Sequence, residues 1–232
     1  TTDEDDFDPA DGNCDIDTIL AGDQCTLRAA IQQSNVSVGV ADEIQFNIGT
    51  GGPQTITPQI ALPQITDTVS IDGTSQPPLV LGGPNFIELN GQNVAAASGL
   101  TIITLGSTVR GLVINRFGGS GITLQGGGNH TIVGNFIGTD GIGMAALPNT
   151  GDGISIFDSR ANNIGGANAG DGNLISGNNS NGIGIFGNGS VQNLILGNRI
   201  GLNAAGNGPL PNGLNGVHIN ESPRNTVGGS TA

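Results

Sequence analysis

The chain has 232 residues, a formal net charge of −13, 42 glycines, and neither tryptophan nor tyrosine. All six basic side chains are arginine, which removes lysine Schiff-base and isopeptide chemistry. The acidic surface repels nucleic acid and acidic polymers, and no apolar run reaches the length of a membrane-spanning helix. An apolar share of 35 % is thin for a thick globular core but sufficient for the narrow interior of a solenoid.

Residues 1–24 are polar and acidic, and residues 1–25 hold nine acids and no base. Asp6, Asp8, Asp11, Gly12 and Asp15 alternate carboxylates with a closing glycine, as calcium loops do. The spacing is one residue off the EF-hand pattern, and no glutamate closes it. Asp6, Asp8, Asp11 and Asp15 are therefore a candidate calcium set, weighed against a solvated acidic arm. Cys14 and Cys25 are the only cysteines. A close pair of this kind is expected as a disulfide, with two buried thiols or half a metal site as the alternative. Residues 25–35 (CTLRAAIQQSN) read as a helix with Leu27, Ala30 and Ile31 on one face and Arg28, Gln32 and Gln33 on the other. Thr26 or Asp23 would cap it. The expected role is a lid on the first coil, in an N-terminal unit of residues 1–43; coils fill 44–232.

Residues 44–128 carry strand signals at period two: Ile44/Phe46/Ile48, Val69/Ile71, Ile87/Leu89, Leu112/Ile114 and Ile122/Leu124. Prolines 53, 58, 63, 77, 78 and 84 fall between them, in turns.

Residues 134–166 then recur at 197–229. Gly134-Asn135, Ile137-Gly138, Pro148-Asn149, Gly153 and Gly165-Gly166 return at one offset of 63 as Gly197-Asn198, Ile200-Gly201, Pro211-Asn212, Gly216 and Gly228-Gly229. A fixed period means that one unit is stacked. Asn173 to Asn178 echoes His130 to Asn135, which divides the repeat into three coils of about 20–22 residues. Eight or nine such coils would make a solenoid about 40 Å long. Asn135, Asn178 and Asn198 then share one slot and are expected to stack as an Asn ladder in a turn. The last residues stop in mid-pattern, which leaves a longer protein or contact with another subunit through the end coils as the expectation.

Cys25-Thr26-Leu27-Arg28-Ala29-Ala30-Ile31, followed by Asn35, resembles the Cys-Ser-Leu-Arg-Glu-Ala-Ile motif that opens a class of secreted bacterial and archaeal surface proteins. It departs at Thr26 and Ala29. Asp42-Glu43-Ile44-Gln45-Phe46, Leu62-Pro63-Gln64-Ile65-Thr66-Asp67 and Val69 to Pro77 continue the likeness. The Asn-x-Ile-x-Gly-Asn-x-Ile-Gly units are similar to right-handed β-helix repeat proteins of pectin-lyase-like architecture. The resemblance implies an all-β, right-handed parallel β-helix with a short N-terminal capping helix, secreted or displayed on a cell surface.

That architecture also hosts polysaccharide lyases and glycosidases, which need paired carboxylates or a base beside cations. The acids of the coils are Asp67, Asp72, Glu88, Asp140, Asp152, Asp158, Asp171 and Glu221. Asp140 and Asp152 return as Asn203 and Asn215, so those slots serve turns. Arg110 and Arg116 flank residues 109–117 and read as solvated, and His130 and His218 read as surface or turn residues. No catalytic residue is assigned. The expected function is a non-catalytic structural or adhesive module that contacts glycan or assembles end to end into filaments. A carbohydrate-active enzyme is the alternative. No cofactor is expected beyond the candidate calcium.

Overall fold

Short apolar pairs at period two send one side chain inward and the next outward, and such strands bury their backbone only by pairing with copies of themselves. The computed structural model describes residue 14, residues 25–80 and residues 86–228. In it the strands form three sheets, each wholly parallel and each stacked in chain order. The first holds Asp42–Gln45, Val69–Asp72, Thr108–Arg110, Thr131–Val133, Asn163–Gly165, Leu194–Leu196 and Thr226–Val227. The second holds Gln54–Ile56, Ile87–Asn90, Leu112–Asn115, Phe136–Ile137, Leu174–Ile175 and Arg199–Ile200. The third holds Leu100–Ile102, Ile122–Gln125, Ile154–Phe157, Ile183–Phe186 and Val217–Asn220. The chain visits the sheets in turn, once per coil: a parallel β-helix.

The interior is a set of aliphatic columns. Ile71, Val109, Ile132, Ile164 and Ile195 stack in the first sheet, and Leu89, Ile114, Ile137 and Ile175 in the second. Ile102, Leu124, Ile156 and Ile185 stack in the third. All thirteen are fully buried or nearly so. Each such side chain contributes roughly 1.5–3 kcal/mol by leaving water.

The coils are longer and fewer than the expected 20–22 residues and eight or nine turns. Successive rungs at Ile44, Ile71, Val109, Ile132, Ile164, Ile195 and Val227 are 27, 38, 23, 32, 31 and 32 residues apart. Seven rungs span about 29 Å, not 40. The offset of 63 is therefore two coils and not three. One coil carries its extra residues between the second and third sheets, at 138–147; the next carries them between the first and second, at 166–172. The two insertions nearly balance in length but sit at different corners.

This corrects the frame of the Asn ladder. Asn135 and Asn198 do share a column, but the residue between them is Asn173. The backbone N–H and Nδ2 of Asn135 donate to Oδ1 of Asn173 at 2.9 and 3.0 Å, and those of Asn173 donate to Oδ1 of Asn198 at 3.0 and 2.8 Å. The second Nδ2 proton of Asn173 goes to the Ile132 carbonyl at 2.7 Å. Asn178 belongs to another column: Asn149 Nδ2 donates to its Oδ1, and its N–H and Nδ2 donate to Asn212 Oδ1, all at 3.0 Å. A third column joins Asn162, Asn193 and Asn225. The amides of Asn173 and Asn193 use both donors and both acceptor positions, so these buried polar side chains carry no desolvation deficit.

The lid is a single helix, α1, Leu27–Val36. Thr26 is its N-cap, with Oγ1 accepting from the Ala29 N–H at 3.0 Å. Leu27 and Ile31 join the same apolar cluster as Ile44, Ile65 and Val69. Arg28, expected on the outer face, is buried, because its guanidinium donates to the carbonyls of Ile60 and Ala61 at 3.0 Å each. Ala29 is fully buried where Ala30 was expected to be; Ala30 is half-buried. Asn35 adds a two-point bond to Gln64 and Thr66. Cys14 and Cys25 form the expected disulfide.

Candidate functional site

The outward positions of the second sheet form a register-matched column: Thr55, Glu88, Val113, Phe136, Leu174 and Arg199. Their chain neighbours Ile56, Leu89, Ile114, Ile137 and Ile175 face the core, so the alternation points the column away from it, although Val113 and Leu174 are themselves covered and buried.

Two hairpins wall this face. In residues 138–147, Thr139 bridges Ala146, and Asp140 Oδ1 accepts from the N–H groups of Met144 and Ala145 at 2.8 and 3.2 Å. In residues 201–210, Leu202 bridges Pro209, and Asn203 Oδ1 accepts from Asn207 and Gly208 at 3.2 and 3.3 Å. The hairpins stack through the Ala204 N–H and the Gly143 carbonyl, 2.8 Å apart. Gly143 presses on the column so closely that a Cβ there would lie 2.5 Å from Leu174 Cδ2. The opposite wall is the segment 166–172 with Gly197. A cavity of 570 Å³ lies between segment 166–172 and Ala204, and a second of 320 Å³ lies beside Phe86, Gly111, Gly134 and Gly141; Phe136 lines both. Arg199, exposed, closes one end and donates through Nη1 to the Ala204 carbonyl.

The coil carboxylates other than Glu221 accept hydrogen bonds. Asp152 Oδ1 accepts from the N–H and Nδ2 of Asn181, both at 2.9 Å, and Asn181 Oδ1 accepts from Asn215 in the same way. Asp72 caps Thr74 at 2.9 Å and faces Arg110 Nε at 3.5 Å. Asp67, Asp158 and Asp171 accept from Gly39, Gly189 and Asn168. Glu88 accepts from Asn115 Nδ2 and Thr55 Oγ1, both at 2.8 Å. Glu88 and Arg199 are four rungs apart, about 19 Å. Arg110 and Arg116 do not flank one strand: Arg110 closes a strand of the first sheet, and Arg116 follows one of the second. Asp6, Asp8, Asp11 and Asp15 lie outside the described residues.

His130 is neither a surface nor a simple turn residue. It is fully buried and stands where Asn162, Asn193 and Asn225 stand on later rungs. Its N–H donates to Asn162 Oδ1 at 3.0 Å, and its Nδ1 accepts from the Ser107 N–H at 3.1 Å. Nδ1 can accept only when unprotonated, which puts the proton on Nε2, an atom without a partner. Burial, which disfavours the charged ring, pushes its pKa down to about 4. His218 sits on the outer face of the third sheet, edge-on to Phe186 at 5.5 Å.

Phe136 and Leu174 were not singled out in the sequence as site residues. The signal was present in Phe136-Ile137: a buried isoleucine at an asparagine-led strand places the preceding aromatic outside. No family model matches the chain, and no curated protein matches it. Among the described residues, no helix is long and apolar enough to cross a membrane.

Proposed function

We propose that the protein is a non-catalytic extracellular or cell-surface β-helix module that holds neutral polysaccharide along the groove floored by the half-buried Phe136. The observation that carries this reading is the groove itself: an apolar floor, walls of glycine-rich backbone, and an arginine at one end. A pyranose presents a matching C–H face and hydroxyl rim, and sites of this kind combine apolar surface with few fixed polar groups. Supporting it, seven of the eight coil carboxylates are engaged in ladders, turns or sheet-face bonds. The net charge of −13 disfavours uronate polymers. The disulfide fits an oxidising compartment, as does the likeness of residues 25–35 to secreted surface proteins.

The test is a panel of neutral and acidic polysaccharides assayed for retention and for product release. Neutral polymers should be retained by the wild type and lost by Phe136→Ala without release of product. Product release abolished by substituting one acid or arginine would replace this reading with that of a carbohydrate-active enzyme.

A further inference from the structure

Three of the five buried polar side-chain atoms that lack a partner among the described residues, Gln33 Oε1, Ser34 Oγ and Asp42 Oδ2, belong to residues that line one cleft. The cleft has a volume of 230 Å³ and lies between the last turn of α1 and the strand that begins at Asp42, with the disulfide on its rim. Glu43 also lines it. Ser34 is 3 % exposed, so its hydroxyl is sealed from bulk water yet unsatisfied.

Unsatisfied buried oxygens are expensive and rare, and three in one place require a common partner. A carboxylate oxygen and an amide oxygen can only accept, so that partner must be a donor or a cation. The last turn of α1 carries no basic residue. Ser37 caps the Gln33 and Ser34 carbonyls, but no positive charge faces the negative end of the helix dipole, which favours a cation. Among the described residues no three His, Cys, Asp or Glu side chains cluster as ligands. The cleft departs from that pattern by drawing on amide and hydroxyl oxygens, which suit a hard cation and not a soft one.

We propose that this cleft binds a calcium ion, with Asp42, Gln33 and Ser34 as ligands, Glu43 beside them, and water completing the shell. Calcium takes six to eight oxygens in flexible geometry, and the space admits an ion with several waters. The ion would join the lid, the first strand and the disulfide into one unit. The set uses none of Asp6, Asp8, Asp11 and Asp15, so the two possible calcium sites can be told apart.

The experiment is isothermal calorimetry of the full chain, stripped with chelator and titrated with calcium chloride, alongside scanning calorimetry. Calcium should bind with saturable heat and raise the melting temperature. Asp42→Asn should weaken binding at least about tenfold and, with the unpaired charge gone, should melt no lower than wild type in chelator. Ser34→Ala and Gln33→Ala give the same direction with milder loss should Asp42→Asn fail to fold. The absence of heat and of any thermal shift at millimolar calcium overturns the proposal. So does binding that persists in Asp42→Asn and vanishes when Asp6, Asp8, Asp11 and Asp15 are all changed to asparagine.

Discussion

The backbone N–H of Ser107 donates to Nδ1 of His130 at 3.1 Å, and an imidazole thereby completes a ladder that asparagine builds on the next three rungs. The asparagine amide accepts and donates at once. The ring can accept at Nδ1 but leaves Nε2 unpaired. The substitution keeps the column continuous and makes this rung the one that acid attacks.

The unfolded imidazole takes a proton near pH 6.5, and the folded one only near about 4. Between those values the unfolded state holds the extra proton, so acid favours unfolding. Stability from this group is complete above pH 6.5 and lost as pH falls toward 4. The loss is roughly 3 kcal/mol. Denaturant titrations from pH 7.5 to 4 check it: His130→Asn should flatten the slope relative to wild type, since the carboxylates contribute equally to both.

Asn173→Ala removes the acceptor of both Asn135 donors, the Nδ2 donor to Asn198 Oδ1 and the donor to the Ile132 carbonyl, while the backbone N–H to Asn198 remains. Several buried groups at about 1–3 kcal/mol each give a loss of roughly 3–5 kcal/mol. Asn163→Ala, at an exposed position one strand away, should stay within about 0.5 kcal/mol. Equal effects in chemical denaturation would contradict the ladder.

Gly138 has φ +88°, and a Cβ there would lie 2.4 Å from both the Ser176 carbonyl and Asn178 Oδ1. Gly126 has φ +63° with open space around it. Gly126→Ala should cost about 1 kcal/mol for the backbone alone, and Gly138→Ala about 3 kcal/mol or more, as the second asparagine column is forced apart. The difference in urea midpoints reads this directly.

Reducing the Cys14–Cys25 bond, which closes a separation of 11 residues, should cost about 3 kcal/mol by freeing the unfolded chain. Scanning calorimetry with and without reductant measures it. Cys14→Ala with Cys25→Ala should match the reduced protein.

The residues revealed the stacking readily and its frame poorly. Val69/Ile71 and Ile122/Leu124 announced strands, and the offset of 63 announced repetition. Dividing that offset failed because insertions at 138–147 and 166–172 sit at different corners while adding similar lengths. Counting from strand to strand therefore paired Asn178 with Asn135, although space pairs Asn173 with it. The buried Arg28 and His130 were illegible for another reason. Each is satisfied by backbone more than 20 residues distant, at Ile60 and Ala61 or at Ser107, and local pattern carries no trace of such partners. The groove falls between these cases, since alternation carries the outward placement of Phe136 but nothing in the local pattern carries its hairpin walls.

The decisive measurement is side-chain amide hydrogen exchange by NMR, asparagine by asparagine. The expected result is that the Nδ2 protons of Asn135, Asn173, Asn149, Asn178, Asn162 and Asn193 exchange as slowly as the core strands, with Asn163 fast. Free exchange at Asn173 alongside protected strands would contradict the claim that asparagine columns bind one coil to the next.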